Sequence, residues 1–179
     1  MISEKLAKAL SDQVNAEYYS AYLYLAMSAY AEDASLNGTA NWLYVQTIEE
    51  MSHGTHMYQY ILDRGAVPTL GAIQAPDATF TGIQDVFEKV LAHEQLVTAR
   101  INAIADLAMQ ESDHACYQFI MWYVNEQVEE ESNASELLGR LELIGSDKSL
   151  LLTLDNELAA RVFNNPFPGD KKLSVLGAA

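Results

Sequence analysis

Ile48-Glu49-Glu50-Met51-Ser52-His53 is the stretch on which the reading of this chain turns. It lies inside a helical pattern in which Leu43, Gln46, Glu50, His53, Met57 and Tyr60 recur on one face. Residues three apart on a helix are neighbours, so Glu50 and His53 can grip one ion together. The pattern has a counterpart elsewhere. Glu17 precedes Glu50 by 33 residues, and 77 residues further on Glu94 precedes Gln127 by the same interval. Glu130 then stands where His53 stood. The chain therefore repeats an acid-bearing helix followed by a helix with an i, i+3 polar pair.

The repeat sets the architecture. A first helix is expected from Ser3, its cap, to about Glu32, with Leu6, Leu10, Gln13, Glu17, Ala21, Tyr24 and Ser28 inward. A short turn leads to a second helix, about Thr39 to Arg64, stopped by Gly65 and Pro68. Residues 66–82 carry Pro68, Gly71, Pro76 and Gly82 without a helical period, which suits a crossover along a bundle. Two more long helices follow, about Ile83 to Glu111 and His114 to Ile144. A shorter fifth runs from about Lys148 to Val162 behind Ser146 or Asp147. The reading is all-α: an up-down-down-up four-helix bundle with one long crossover and a short fifth helix. Counted along the helices at ~1.5 Å per residue, the inward polar residues fall within a few ångströms of one level.

Composition narrows the function. The 179 residues are half apolar, enough for one domain with a real core. No long uncharged apolar run is present, so no membrane span is expected. No apolar leader follows Met1, and the expectation is a cytoplasmic protein. One cysteine, Cys116, excludes thiolate clusters and internal disulfides. A formal charge of −15 argues against nucleic acid as a partner and suits a surface that collects cations.

Four core-facing acids, Glu17, Glu50, Glu94 and Glu130, cannot lie together as bare anions, because each unpaired buried charge costs several kcal/mol. Arg64, Arg100 and Arg140 are expected far from this level. Partial protonation or a wet polar layer would be one solution. Two divalent cations are the better one, given the repeated spacing on four helices. Oxygen-rich ligands with an imidazole suit iron or manganese.

With these residues in view, the chain resembles the non-haem ferritins of bacteria and archaea over residues 1–162. The resemblance rests on Asn15-Ala16-Glu17-Tyr18-Tyr19-Ser20, Glu49-Glu50-Met51-Ser52-His53, His93-Glu94-Gln95 and the run from Trp122 to Glu131. It implies a ferritin-like domain over 1–163 and a flexible tail over 164–179. It implies a ferroxidase that oxidises Fe(II) with O2 or peroxide and deposits ferric mineral inside a homo-oligomeric shell. In that family the shell is usually a cage of about 24 subunits. By the resemblance, Glu17, Glu50 and His53 hold the first iron. Glu50 bridges to a second, completed by Glu94 and Glu130 with Gln127 beside it. Glu49, Glu126 and Glu129, with Glu130 shared, match an additional inner iron site, and Tyr24 matches a tyrosine that supplies an electron or proton.

A haem-binding relative is the nearest alternative, because Met51 follows Glu50. Such proteins repeat Glu-x-x-His in the fourth helix, however, and this chain has Gln127-x-x-Glu130, so no haem is expected. Iron-cluster peroxidases need cysteines that are absent here. A catalytically silent helical assembly protein is the alternative from another class. The end of the chain, with Lys171, Lys172 and Leu173-Ser174-Val175-Leu176, is expected to be loosely ordered.

Overall fold

Ser3 opens the first helix as read: its Oγ accepts from the Leu6 amide at 3.1 Å. In the computed structural model, which describes residues 1–167, five helices appear. They are α1 (Glu4–Asp33), α2 (Asn37–Asp63), α3 (Ile83–Gln110), α4 (His114–Ile144) and α5 (Lys148–Leu158). Asp113 caps α4 through the Cys116 amide at 2.9 Å, and Asp147 caps α5 through Ser149 and Leu150. The sequence-based expectations for Lys171, Lys172 and the 173–176 run lie outside the described residues.

The crossover climbs beside α1. Thr69 N donates to Ser11 Oγ and Gly71 N to Asn15 Oδ1, and Phe80 packs on Tyr30 with ring centroids 5.1 Å apart. The chain thus enters α3 at the end of α1 and runs back down, giving the up-down-down-up order. Two apolar clusters fill the bundle. One joins Leu23, Met27, Leu43, Phe87, Leu137 and Leu154, and the other joins Leu6, Leu10, Met57, Ile101, Cys116 and Ile120. Between them lies the polar level carrying the four acids.

Two boundaries differ from the sequence reading. α2 starts at Asn37, two residues early, because its N-terminus is capped from outside. Asp155 of α5 accepts from the Gly38 and Thr39 amides, at 3.1 and 2.7 Å, and from Thr39 Oγ1 at 2.8 Å. A Cβ on Gly38 would sit 1.7 Å from the Asp155 carbonyl oxygen, so only glycine permits the approach. α5 ends at Leu158 rather than near Val162. There the Asn41 side chain donates to the carbonyls of Leu158, Ala159 and Arg161 and draws the backbone off the helix.

The beginning of the tail is also more ordered than expected. Asn165 Oδ1 accepts from the Phe167 amide at 2.8 Å across Pro166. This turn seats Phe167, 9% exposed, against His56 with ring centroids 3.7 Å apart and against Trp122 at 4.5 Å. Burial of the Phe167 ring against aromatic partners offsets part of the entropy lost in ordering the segment.

Candidate metal centre

Each of the four long helices contributes to the polar level. Glu17, Glu50, His53, Glu94, Gln127 and Glu130 are all buried, as their stripes required. α1 and α2 approach closely here: a Cβ on Gly54 would lie 3.2 Å from Glu17 Cβ. That approach brings Glu17, Glu50 and His53 together, with one ligand atom from each within 4.8 Å of the others. His53 Nδ1 lies 3.6 Å from Glu50 Oε2. His53 Nε2 is buried without a hydrogen-bond partner among the described residues, and the nearby Glu126 Oε1 stands off at 3.9 Å. Burial holds the ring well below its usual range, at about 3, so the imidazole is neutral and free to ligate.

The other half of the level is held by α3 and α4. Tyr24 Oη donates to Glu94 Oε1. Gln127 Nε2 donates to Glu94 Oε2 at 3.0 Å, and Gln46 Nε2 donates to Glu130 Oε2 at 2.9 Å. Desolvation raises the carboxyls of Glu17, Glu50 and Glu94, and Glu130 is pushed up to about 8. The neighbouring carboxyls of Glu17 and Glu50 act on each other in opposite senses, drawing Glu17 down and pushing Glu50 further up. Burial first, and the neighbouring Glu94 and Glu50 second, push the Tyr24 phenol well above its usual range. Among the described residues no lysine or arginine pairs directly with any of the four acids. The donor set fits two hard divalent cations, which would replace the protons the acids hold.

The outer acids behave differently. Glu49, Glu126 and Glu129 are close enough to repel one another, and burial lifts Glu49 to about 7. They are not drawn to a common point as Glu17, Glu50 and His53 are. Arg161 Nη2 holds Glu49 Oε2 at 2.5 Å instead.

Arginine placement corrects the sequence reading. Arg64 pairs with Asp113 and Arg140 with Glu157, away from the acids as expected. Arg100 does reach the level. Its Nε donates to Gln13 Oε1 at 2.8 Å, and Gln13 Nε2 donates to Glu17 Oε1 at 2.7 Å. The long side chain spans from α3 to α1, which a count along the helix axis ignores. Arg161 makes the matching arrangement with Gln46, whose amide then faces Glu130. A signal for the glutamines was present: Gln13 and Gln46 each stand four residues before an acid, Glu17 and Glu50. Nothing local announced Arg161, His56 or Phe167.

Known proteins share this arrangement of helices. Residues 7–144 match the model of the ferritin-like domain family. The bacterial non-heme ferritin of Staphylococcus aureus is 41% identical over 164 residues, 92% of this chain and 99% of that protein. That of Staphylococcus haemolyticus is 42% identical over the same shares. Among solved structures, an open-pore ferritin from the hyperthermophilic archaeon Archaeoglobus fulgidus superposes with a TM-score of 0.89 at 46% identity. The match covers 90% of this chain and 100% of that one. An engineered closed form of the same ferritin gives 0.90 at 45% identity, covering 92% and 100%.

Proposed function

The chain belongs to the ferritin-like domain family, and from that membership and its own site we propose that it stores iron, oxidising Fe(II) between its four helices. The observation that carries this reading is the set of four buried acids that have no direct cationic partner among the described residues, beside a neutral imidazole whose Nε2 has no hydrogen-bond partner there. Such a level is stable only when protonated or filled by cations.

In this reading Fe(II) is the substrate. Glu17, Glu50 and His53 hold one ion, and Glu50 reaches the second, which Glu94 and Glu130 hold with Gln127 beside it. Entry of the cations displaces the protons held on Glu50 and Glu130, since both functions compete for the same oxygens. Two adjacent Fe(II) ions deliver two electrons together to O2 or peroxide, and carboxylates favour the harder ferric product. Tyr24, bonded to Glu94, is placed to pass a proton or electron at that step. Glu49, Glu126, Glu129 and the shared Glu130 form the way onward. Mineral storage needs a closed shell, so a homo-oligomeric cage, the 24-mer of the family, belongs to the proposal, as do a cytoplasmic setting and a single domain over 1–163.

Anaerobic titration of the metal-free protein with Fe(II), followed by O2, tests this beside Glu50→Ala. Rapid oxygen uptake that saturates at two to three irons per chain and is lost in the variant supports the reading. Slow oxidation equal in both proteins refutes it and leaves a structural helical assembly.

A further inference from the structure

The segment after α5 returns along α2 and reaches the outer acids. Asn41 fixes the Arg161 carbonyl at 2.9 Å, and the guanidinium lies 4.4 Å from the centre of the Trp42 ring. From there Nη1 donates to the Trp42 carbonyl at 3.3 Å, and Nη2 reaches both Gln46 Oε1 and Glu49 Oε2. Gln46 passes the contact on to Glu130 at 2.9 Å. One cation thus serves two of the four acids of the inner locus, Glu49 directly and Glu130 through an amide. Its position is set from a distance, because Asp155 clamps α5 to the start of α2. Six residues on, Phe167 closes over His56 and Trp122 beside His53.

We propose that Arg161 is the resident counter-cation of the inner carboxylate locus: it holds Glu49 in place of a third divalent ion and must swing off before that ion binds. This rests on the di-iron reading and adds a control to it. An exchangeable guanidinium keeps the half-buried Glu49 from standing as an unpaired charge while the locus is empty. It also fixes the Gln46 amide so that its NH2 faces Glu130. Arg161 is therefore a positioning residue whose departure frees both acids for the metal.

The test uses the full-length assembled protein and Zn(II), which cannot be oxidised, titrated calorimetrically into the metal-free form. Arg161→Gln is expected to tighten the third equivalent about tenfold by removing the competing charge, with the first equivalent, on Glu17, Glu50 and His53, as the internal reference because Arg161 contacts none of the three. Arg161→Lys, which keeps the charge without the forked geometry, is expected to fall between the two. In a Trp122→Phe background, Trp42 emission should change as the third equivalent binds to the protein that keeps Arg161. It should stay constant in Arg161→Gln, which has no guanidinium to leave the ring, a coupling that a purely structural role would not create. Third-equivalent affinity equal or weaker in Arg161→Gln, or no third equivalent in any variant, overturns the proposal. If the third equivalent tightens but Fe(II) is not oxidised, the ferroxidase reading fails alone. If Fe(II) is oxidised and the affinity does not move, this inference fails alone.

Discussion

Glu130→Gln should stabilise the metal-free protein at alkaline pH, and the size of the gain follows from its surroundings. Glu130 is buried, and desolvation with Glu94 and Glu49 nearby raises its carboxyl from 4.5 to about 8. A folded-state pKa above the unfolded value means that the native state holds more protons. Its stability contribution is complete below the unfolded pKa and is lost as pH rises through the folded one. Between about pH 6.5 and 8.5 the loss from this one group is about 2 kcal/mol, at ~1.4 kcal/mol per unit. For a chain of this size that is roughly 4 to 8 °C in thermal midpoint. His53, held at about 3 by burial, destabilises the fold only below its unfolded value, so it does not contribute in this window. The assay is the midpoint of metal-free wild type and Glu130→Gln at both pH values and one protein concentration. The amide still accepts from Gln46, so the variant should lose part of the pH slope while keeping its fold. Zn(II) should flatten the wild-type slope as well. A wild-type midpoint that does not fall with pH, or an equal fall in both proteins, would refute the electrostatic account of the site.

Three further outcomes follow from single contacts. Tyr24→Phe removes the hydroxyl bonded to Glu94; Fe(II) binding should persist while oxidation slows roughly tenfold in stopped-flow absorbance, and an unchanged rate would remove Tyr24 from the chemistry. Gly38→Ala places a methyl 1.7 Å from the Asp155 carbonyl oxygen; α5 must shift at a cost of about 2 to 3 kcal/mol, read as faster amide exchange across 148–161. Gln13→Leu removes the amide donor from Glu17 and the side-chain acceptor from Arg100 Nε; denaturant titration should show a loss of about 1 to 2 kcal/mol, and Arg100→Gln should account for only part of it.

The helices and their polar level were legible in the chain because both depend on periodicity. Glu17, Glu50, His53, Glu94, Gln127 and Glu130 sit at positions where a 3.6-residue period demands burial, and all six are buried. Ser3, Asp113 and Asp147 were legible as caps because a cap bonds within its own first turn. Helix ends set by distant residues were not. α2 gained its first turn from Asp155, more than a hundred residues away, and α5 lost its last to Asn41. The same holds for the two arginines. Arg100 and Arg161 reach the acids across helix seams, through glutamines whose own spacing hinted at a role but not at a partner.

What the sequence determined by itself was the class of fold and the shared level of the acids, since both follow from local pattern and from position along each helix. Tertiary structure alone decided which acids converge, which keep a proton, and that Arg161 rather than another acid faces Glu49. Those outcomes depend on the packing of α1 against α2 and the docking of α5, and distances of a few ångströms between remote residues leave no trace in one-dimensional spacing.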